Sequence, residues 1–235
     1  MKRLCLVAIA LLPLLAPSAA SAGPISLFEV AFNVDGNGYS SIAGFQPHDL
    51  DAGSGSPFDV SAFDFVTGLG SIELKVGGAG NHSVFGYFDL DLADSNNSLF
   101  DDLGEALGAA GAGQGFEIDE PGFAGYPAPQ SDIYSHVFGG VLEDANNLAA
   151  PDDVAMALSM LFALNPGEQG VLVFSASTTD PGGFRLRQFD QSGAEVFLSS
   201  SLRVVPAPVP EPVMTLLLSV AMAGGAMRRR FRARS

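Results

Sequence analysis

Aspartate and glutamate are the side chains in this sequence whose number and spacing could do chemistry. The 235-residue chain has 26 of them against 11 lysines and arginines, giving a formal net charge of −15. Asp89, Asp91 and Asp94 follow one another closely, and carboxylate oxygens are ligands that Ca²⁺ prefers. This spacing predicts a candidate calcium site. The alternative, which the sequence favours because short acidic clusters are common, places Asp89 and Asp91 on the solvated face of a strand.

A carboxylate pair of the glycosidase type is a second hypothesis, on Glu117, Asp119 and Glu120. Such a pair needs a defined separation in space, which the sequence does not supply, and among so many carboxylates close neighbours are expected by chance. The histidines are far apart and have no cysteine partners, which favours surface or core positions over a zinc site. They are His48, His82 and His136.

The common catalytic motifs are missing from the sequence. It contains neither G-x-S-x-G nor H-E-x-x-H, and Lys75 does not follow a phosphate-binding glycine loop. We therefore expect no enzymatic activity, and no cofactor apart from the calcium hypothesis. The acidity also argues against nucleic acid as a partner, because binding phosphates requires clustered Lys and Arg.

The N-terminus has the three-part pattern of a secretory signal peptide. Lys2 and Arg3 precede an apolar run from Leu4 to Leu15, and small residues lead to an A-x-A site. The pattern predicts a signal peptide over residues 1–22, cut between Ala22 and Gly23. The run is shorter than the roughly 20 residues of a membrane-spanning helix. The single Cys lies within this segment, so the exported protein would form no disulfide.

The C-terminus combines a proline-rich spacer, an apolar segment and a basic end. Val209, Pro210, Glu211 and Pro212 precede the apolar residues 213–227, and five arginines lie among the last eight residues. As a helix the apolar segment would be roughly 22 Å long, which is short for a hydrocarbon core of about 30 Å. Arginine side chains that reach the interface make insertion feasible, with the arginines in the cytoplasm. An ordinary tail anchor is the alternative.

Residues 209–235 resemble the PEP-CTERM sorting signal of exported Gram-negative proteins. The resemblance rests on V-P-E-P, the short apolar helix and the arginine cluster, together with the signal peptide. It implies transient anchoring in the inner membrane and cleavage near Pro210-Glu211-Pro212 by an exosortase, a membrane-embedded cysteine protease. Signal peptidase and the exosortase would then be processing partners. The resemblance further implies an association with secreted polysaccharide.

The chain between these ends is far more acidic than the whole. Residues 23–209 contain 25 of the acidic residues and only four basic ones, a net charge of −21. The four are Lys75, Arg185, Arg187 and Arg203. Such a charge favours solubility and attracts divalent cations.

The elements that would position these groups are mostly strands. Alternating apolar and polar residues predict strands over 71–76 and 84–92 and a hairpin that joins 184–188 to 196–204, and residues 25–34 are a candidate first strand. The composition of 151–164 suggests a helix, but its large residues fall at every even position with mostly small residues between them, and this period of two favours a strand. The apolar run within 170–177 predicts a strand buried on both faces. Residues 35–57 have the composition of a long surface loop. Leu99, Leu103 and Leu107 predict a short helix that begins at Ser98. The expected fold is all-β, a β-sandwich-like ectodomain over residues 23–208 with one short helix, flanked by the signal peptide and the sorting helix.

Residues 85–205 also look similar to an ectodomain common among PEP-CTERM proteins, which has no assigned activity. The similarity lies in segments 116–122, 132–134, 151–158 and 183–187. Together these patterns predict an exported cell-surface or extracellular-matrix protein with a structural or interaction role. A calcium-dependent carbohydrate-binding module is the alternative, although the chain has no Trp and its four Tyr are scattered. A secreted hydrolase is the third hypothesis.

Overall fold

The computed structural model describes residues 25–42, 50, 56–92, 100–121 and 132–208. The predicted signal peptide, the predicted sorting signal, His48 and Asp94 lie outside the described residues. Among the described residues, no helix is long and apolar enough to cross a membrane.

The described part of the chain forms two six-stranded sheets and one short helix. The first sheet has the order β2-β1-β5-β9-β7-β8 and comprises β1 (Ile25–Val34), β2 (Asn37–Ile42), β5 (Gly80–Leu92), β7 (Gln114–Asp119), β8 (Ala145–Asn146) and β9 (Ala155–Leu164). The second has the order β3-β4-β10-β12-β11-β6 and comprises β3 (Phe58–Phe63), β4 (Gly70–Gly77), β6 (Leu103–Leu107), β10 (Glu168–Ser177), β11 (Arg185–Phe189) and β12 (Glu195–Pro206). The helix, α1, is Ile133–Gly139. The predicted all-β, sandwich-like class with one short helix is confirmed for this part of the chain.

The main core lies between the two sheets. Phe32 is at its centre, with its ring centroid 5.2 Å from that of Phe174 and 6.0 Å from that of Phe88. Gly86 makes this packing possible, because a Cβ there would lie 2.9 Å from both the Phe174 and the Phe32 ring. Burial of such aromatic side chains is the main source of stability in a domain without disulfides.

A second, smaller core lies on the outer face of the first sheet, the face turned away from the second sheet. There α1 packs Ile133 and Val137 against Phe85, Tyr87 and small side chains of neighbouring strands. This explains the alternation in β9. Its large even-numbered residues enter the main core, whereas its odd-numbered alanines leave room for the helix.

Several predicted strands are confirmed. β1 has the predicted bounds, and β9 confirms the strand over 151–164 from Ala155 onward. The hairpin of β11 and β12 is confirmed, with the turn between Phe189 and Glu195 held by the Asp190 carboxylate, which accepts from Ala194 N–H at 2.9 Å.

Two local predictions are wrong. Residues 35–57 are not one loop, because Asn37–Ile42 forms β2 and pairs with β1. Leu103–Leu107 is strand β6 rather than part of a helix, since pairing with β11 at the sheet edge outweighs local helix propensity. The short helix lies instead at Ile133–Gly139, a segment for which the sequence analysis predicted no element.

Candidate functional site

A row of carboxylates crosses the outer face of the first sheet. Glu29 on β1 is directly opposite Asp89 on β5, and Asp89 is opposite Ala155 on β9. Ala155 is in turn opposite Asp119 on β7. We call Glu29, Asp89 and Asp119 the carboxylate row. Side chains of a strand alternate between its two faces, so this register places all three carboxylates on the face that carries α1.

The carboxylate row is buried. Glu29, Asp89 and Asp119 are 8%, 3% and 2% exposed. Tyr134 Oη donates to Glu29 Oε1 at 3.1 Å, and Tyr87 Oη donates to Asp89 Oδ2 at 3.3 Å. Burial raises the pKa of each carboxyl, and for Asp89 well above its usual range, with a further increase from the charges of Asp153, Asp91 and Glu29.

These carboxylates have no lysine or arginine beside them. The four basic residues of the described chain all lie in strands of the second sheet: Lys75, Arg185, Arg187 and Arg203. An isolated buried carboxylate is costly, so the carboxylate row is neutralised by protons or by a cation from solution.

The structure places the residues of the calcium hypothesis in this region. Asp89 is 3% exposed and accepts a hydrogen bond from Tyr87, so its assignment to a solvated strand face is wrong. Asp91 is half-buried, and burial raises its pKa. Asp153 adds a carboxyl that the sequence analysis did not consider, with a pKa raised to about 6 by burial and by Asp91 and Asp152. Calcium binding at Asp89, Asp91 and Asp94 stays a prediction.

A histidine lies between two carboxylates beside this row. Glu117 is fully buried, and its Oε1 is 2.8 Å from His136 Nδ1. His136 Nε2 is 3.4 Å from Asp132 Oδ2. One ligand atom from each of the three residues lies within 4.8 Å of the other two. We call Glu117, Asp132 and His136 the histidine cluster.

Two elements position the histidine cluster. Glu117 stands on β7 two residues before Asp119, so their side chains share a face. Asp132 and His136 are four residues apart at the start of α1, which brings their side chains together. The Glu117 Oε2 atom is held by Glu143 N–H at 3.1 Å.

The electrostatics of the histidine cluster favour a cation between the carboxylates. Burial alone would lower the pKa of His136, but Glu117, Asp132 and Glu143 together raise it above its usual value. Burial raises the pKa of Glu117, although the hydrogen bond with His136 opposes this. The arrangement can hold a proton on the imidazole, or a metal ion on the same side chains.

The other histidine in the described chain has a simpler environment. His82 Nδ1 is 2.7 Å from Asp35 Oδ2, and Nε2 is 2.9 Å from Gly78 O. Its ring stacks on Phe162 with centroids 5.5 Å apart. These contacts account for both ring nitrogens of His82.

The three residues of the glycosidase hypothesis do not share one environment in the structure. Glu117 and Asp119 lie on one face beneath α1, almost fully buried. Glu120 follows the end of β7 and is half-buried, with a pKa raised to about 7 by burial and by Asp152.

Gln188 and Asp102 form a buried polar pair between the two sheets. Gln188 Nε2 donates at 2.6 Å to both Leu90 O and Asp102 Oδ2. Gln188 Oε1 and Asp102 Oδ1 are buried and have no hydrogen-bond partner among the described residues. Burial, opposed in part by Gln188, raises the pKa of Asp102 to about 7.

The histidine cluster could not be recognised in the sequence. The available signals were the i, i+4 spacing of Asp132 and His136 and the i, i+2 spacing of Glu117 and Asp119. Without the seven-residue α1, nothing indicated that these two pairs meet.

No protein-family model, curated protein or solved structure matches this chain. Its function is therefore argued from its own residues.

Proposed function

We propose that this chain is an exported protein that an exosortase processes, and that it acts at the cell surface or in the extracellular matrix. Its role is structural or in interactions linked to exopolysaccharide. The observation that carries the proposal is the pair of sequence ends: the signal-peptide pattern over residues 1–22, and V-P-E-P followed by an apolar segment and arginines over residues 209–235.

The positions of the proposed cuts support this function. The first described strand begins at Ile25, shortly after the predicted cut between Ala22 and Gly23. The last strand ends at Pro206, and Ala207 N–H still donates to Gly167 O at 2.8 Å. Cleavage near Pro210-Glu211-Pro212 would therefore remove neither a strand nor a core side chain of the described sandwich. We therefore expect that the signal peptide and the sorting signal can both be removed without unfolding the domain.

Intact mass of the protein recovered from an exosortase-bearing host tests this proposal. We expect a product that lacks residues 1–22 and the segment after the P-E-P motif. Replacing Pro210, Glu211 and Pro212 by Ala should leave residues 213–235 attached. Glu73→Ala, which removes a surface carboxylate of the second sheet, is the matched control and should be processed normally. Retention of residues 213–235 in the unaltered chain would contradict the proposal.

A calcium-dependent carbohydrate-binding module is the second candidate, and one surface feature favours it. A cleft of about 350 Å³ on the second sheet presents hydroxyl and amide groups beside an aromatic ring, a combination suited to sugars. Its polar and aromatic lining includes Gln114, Ser175, Phe184, Ser199 and Ser201. A glycan array probed with and without calcium tests this candidate. Specific binding that a chelator abolishes would support it, and an array without binding would exclude it.

A further inference from the structure

The histidine cluster combines one imidazole with two carboxylates at ligand-like distances. We infer that Glu117, Asp132 and His136 bind a divalent first-row transition metal of the Zn²⁺ class. The inference goes beyond the proposed function and does not depend on it, because sorting and metal binding use different parts of the chain.

The distances suit an ion bound at His136 Nδ1 beside Glu117, once the Asp132 side chain rotates from the other ring nitrogen towards it. Zn²⁺ binds imidazole nitrogen and carboxylate oxygen at about 2.0–2.2 Å, so its tetrahedral ligand atoms lie roughly 3.4 Å apart. The His136 Nε2 to Asp132 Oδ2 distance is 3.4 Å. Glu117 Oε1 is 2.8 Å from His136 Nδ1, and one ligand atom from each of the three residues lies within 4.8 Å of the other two. A metal ion would replace the proton that His136 shares with its neighbours.

The carboxylate of Asp132 is free for this role. Asp132 precedes α1 in the capping position, yet its side chain makes no capping hydrogen bond to the helix. Its Oδ2 atom points instead to His136 Nε2. Because the Asp132 carboxylate does not accept the usual N-capping hydrogen bond, it is available as a ligand.

Asp119 supplies an independent observation. It is 2% exposed, and its Oδ2 atom is buried without a hydrogen-bond partner among the described residues. It stands on the same face of β7 as Glu117. Burial raises its pKa and the charges of Asp132 and Glu143 add to the rise, whereas the backbone N–H groups of Glu120 and Asp132 oppose it. Buried acceptors normally have a donor, so this oxygen is best satisfied by the ion or by a water molecule bound to it.

The donor set selects the class of metal. Imidazole favours zinc and its transition-metal neighbours, whereas calcium and magnesium favour sites made of oxygen alone. The position is also rigid, because β7 is paired on both sides and Glu143 N–H fixes the second oxygen of Glu117. Preorganised ligands reduce the entropy that metal binding costs.

Calorimetric titration of the metal-free full chain with Zn²⁺ tests the inference. We expect one ion per chain, with weaker binding at pH 5.5 than at pH 7.5 because His136 must lose its proton. His136→Gln should weaken Zn²⁺ binding about tenfold or more. His82→Gln is the matched control, since it alters a histidine–carboxylate pair elsewhere on the same sheet, and should bind as the unaltered chain does.

Folding of each variant is checked by its β-sheet circular dichroism. If His136→Gln does not fold, Asp132→Asn replaces it, since Asp132 is not part of the core, and the same loss of affinity is expected. Loss of the His136 ring-proton titration in NMR when Zn²⁺ is added would place the ion on this side chain. The inference is overturned if Zn²⁺ does not bind, if a folded His136→Gln or Asp132→Asn chain binds as tightly as the unaltered one, or if Ca²⁺ displaces Zn²⁺ at equal concentration.

Discussion

The outer faces of the two sheets handle their charges in opposite ways. On the second sheet Arg187 lies between Glu105 and Glu195, at 2.7 Å from each, and its guanidinium stacks over Phe189. On the first sheet the carboxylate row and the histidine cluster have no lysine or arginine partner in the part of the chain that the structure describes. On the second sheet Glu73, Glu105 and Glu195 each have a lysine or arginine partner, whereas the buried carboxylates of the first need protons or an ion from solution.

The pKa shifts follow the same division. The carboxyls whose pKa is lowered belong to the second sheet and its loops, and each is held by local hydrogen bonds: Asp59, Asp64 and Asp180. The carboxyls whose pKa is raised, chiefly by burial, lie on or next to the first sheet, or between the sheets in the case of Asp102: Glu29, Asp89, Asp91, Asp102, Glu117, Asp119, Glu120 and Asp153. The amino-acid composition alone does not distinguish the carboxyls with a lowered pKa from those with a raised one.

Neutralising one buried carboxylate should produce the largest change. Asp89→Asn removes the charge while keeping the size and an acceptor for Tyr87. We expect the free energy of unfolding of the metal-free protein to rise by about 2 kcal/mol at pH 8, because there the folded protein must either bury the charge of Asp89 or keep a proton that the unfolded chain has lost. At pH 4 the difference should be small, since Asp89 is then protonated.

Urea denaturation at the two pH values measures this difference. Glu195→Gln, on the second sheet, is the comparison variant and should be slightly destabilising at pH 8, because it removes one partner of Arg187. If Asp89→Asn and Glu195→Gln changed stability by the same amount and in the same direction, the contrast between the two faces would be wrong.

Removing the arginine of the second sheet should have an intermediate effect. Arg187→Met keeps much of the apolar stem but leaves Glu105 and Glu195 without their partner. We expect a loss of about 1 kcal/mol, which is the upper range for partly exposed ion pairs. The loss should shrink at high salt, because screening weakens both the lost attraction and the new repulsion. Thermal denaturation at low and high ionic strength checks this, and a loss that grows with salt would contradict it.

The smallest effect is expected at His82. The Asp35 carboxylate raises the pKa of His82, so the pair contributes most below the unfolded pKa of about 6.5 and less as the pH rises through the folded value. His82→Gln should therefore destabilise the protein by less than about 1 kcal/mol, and more at pH 5.5 than at pH 8. Urea denaturation at those pH values measures the difference, and a larger loss at pH 8 would show that the charge on His82 does not matter.

Several elements could be predicted because their signal is local. The large and small residues of β9 alternate over its whole length, and the polar turn between β11 and β12 marks a hairpin. β6 could not be predicted in this way, since Leu103 and Leu107 are four residues apart and fit one face of a helix or of a strand. α1 has only seven residues, which is too short for a reliable helical period.

The candidate site could not be predicted from the sequence, for a different reason. Asp89 and Glu117 were considered in the sequence, but their neighbours Glu29 and His136 are distant along the chain. Only the register of β1, β5, β9 and β7 sets which carboxylates face one another. A solvated face and a covered face have the same alternation of residues, and the covering helix decides between them.

The melting temperature of the metal-free full chain between pH 5 and pH 8 tests the central claim, that the first sheet buries carboxylates without a cation of its own. Carboxyls with a raised pKa stabilise the protein while protonated and lose this contribution as the pH rises through their folded pKa, which is about 6 for Asp153 and about 7 for Glu120 beside the first sheet. Asp102 between the sheets, with a pKa of about 7, adds to the same change. We therefore predict that the melting temperature falls by several degrees from pH 5 to pH 8, and that Zn²⁺ restores part of it at pH 8. A melting temperature that stays level or rises over this range would contradict the account.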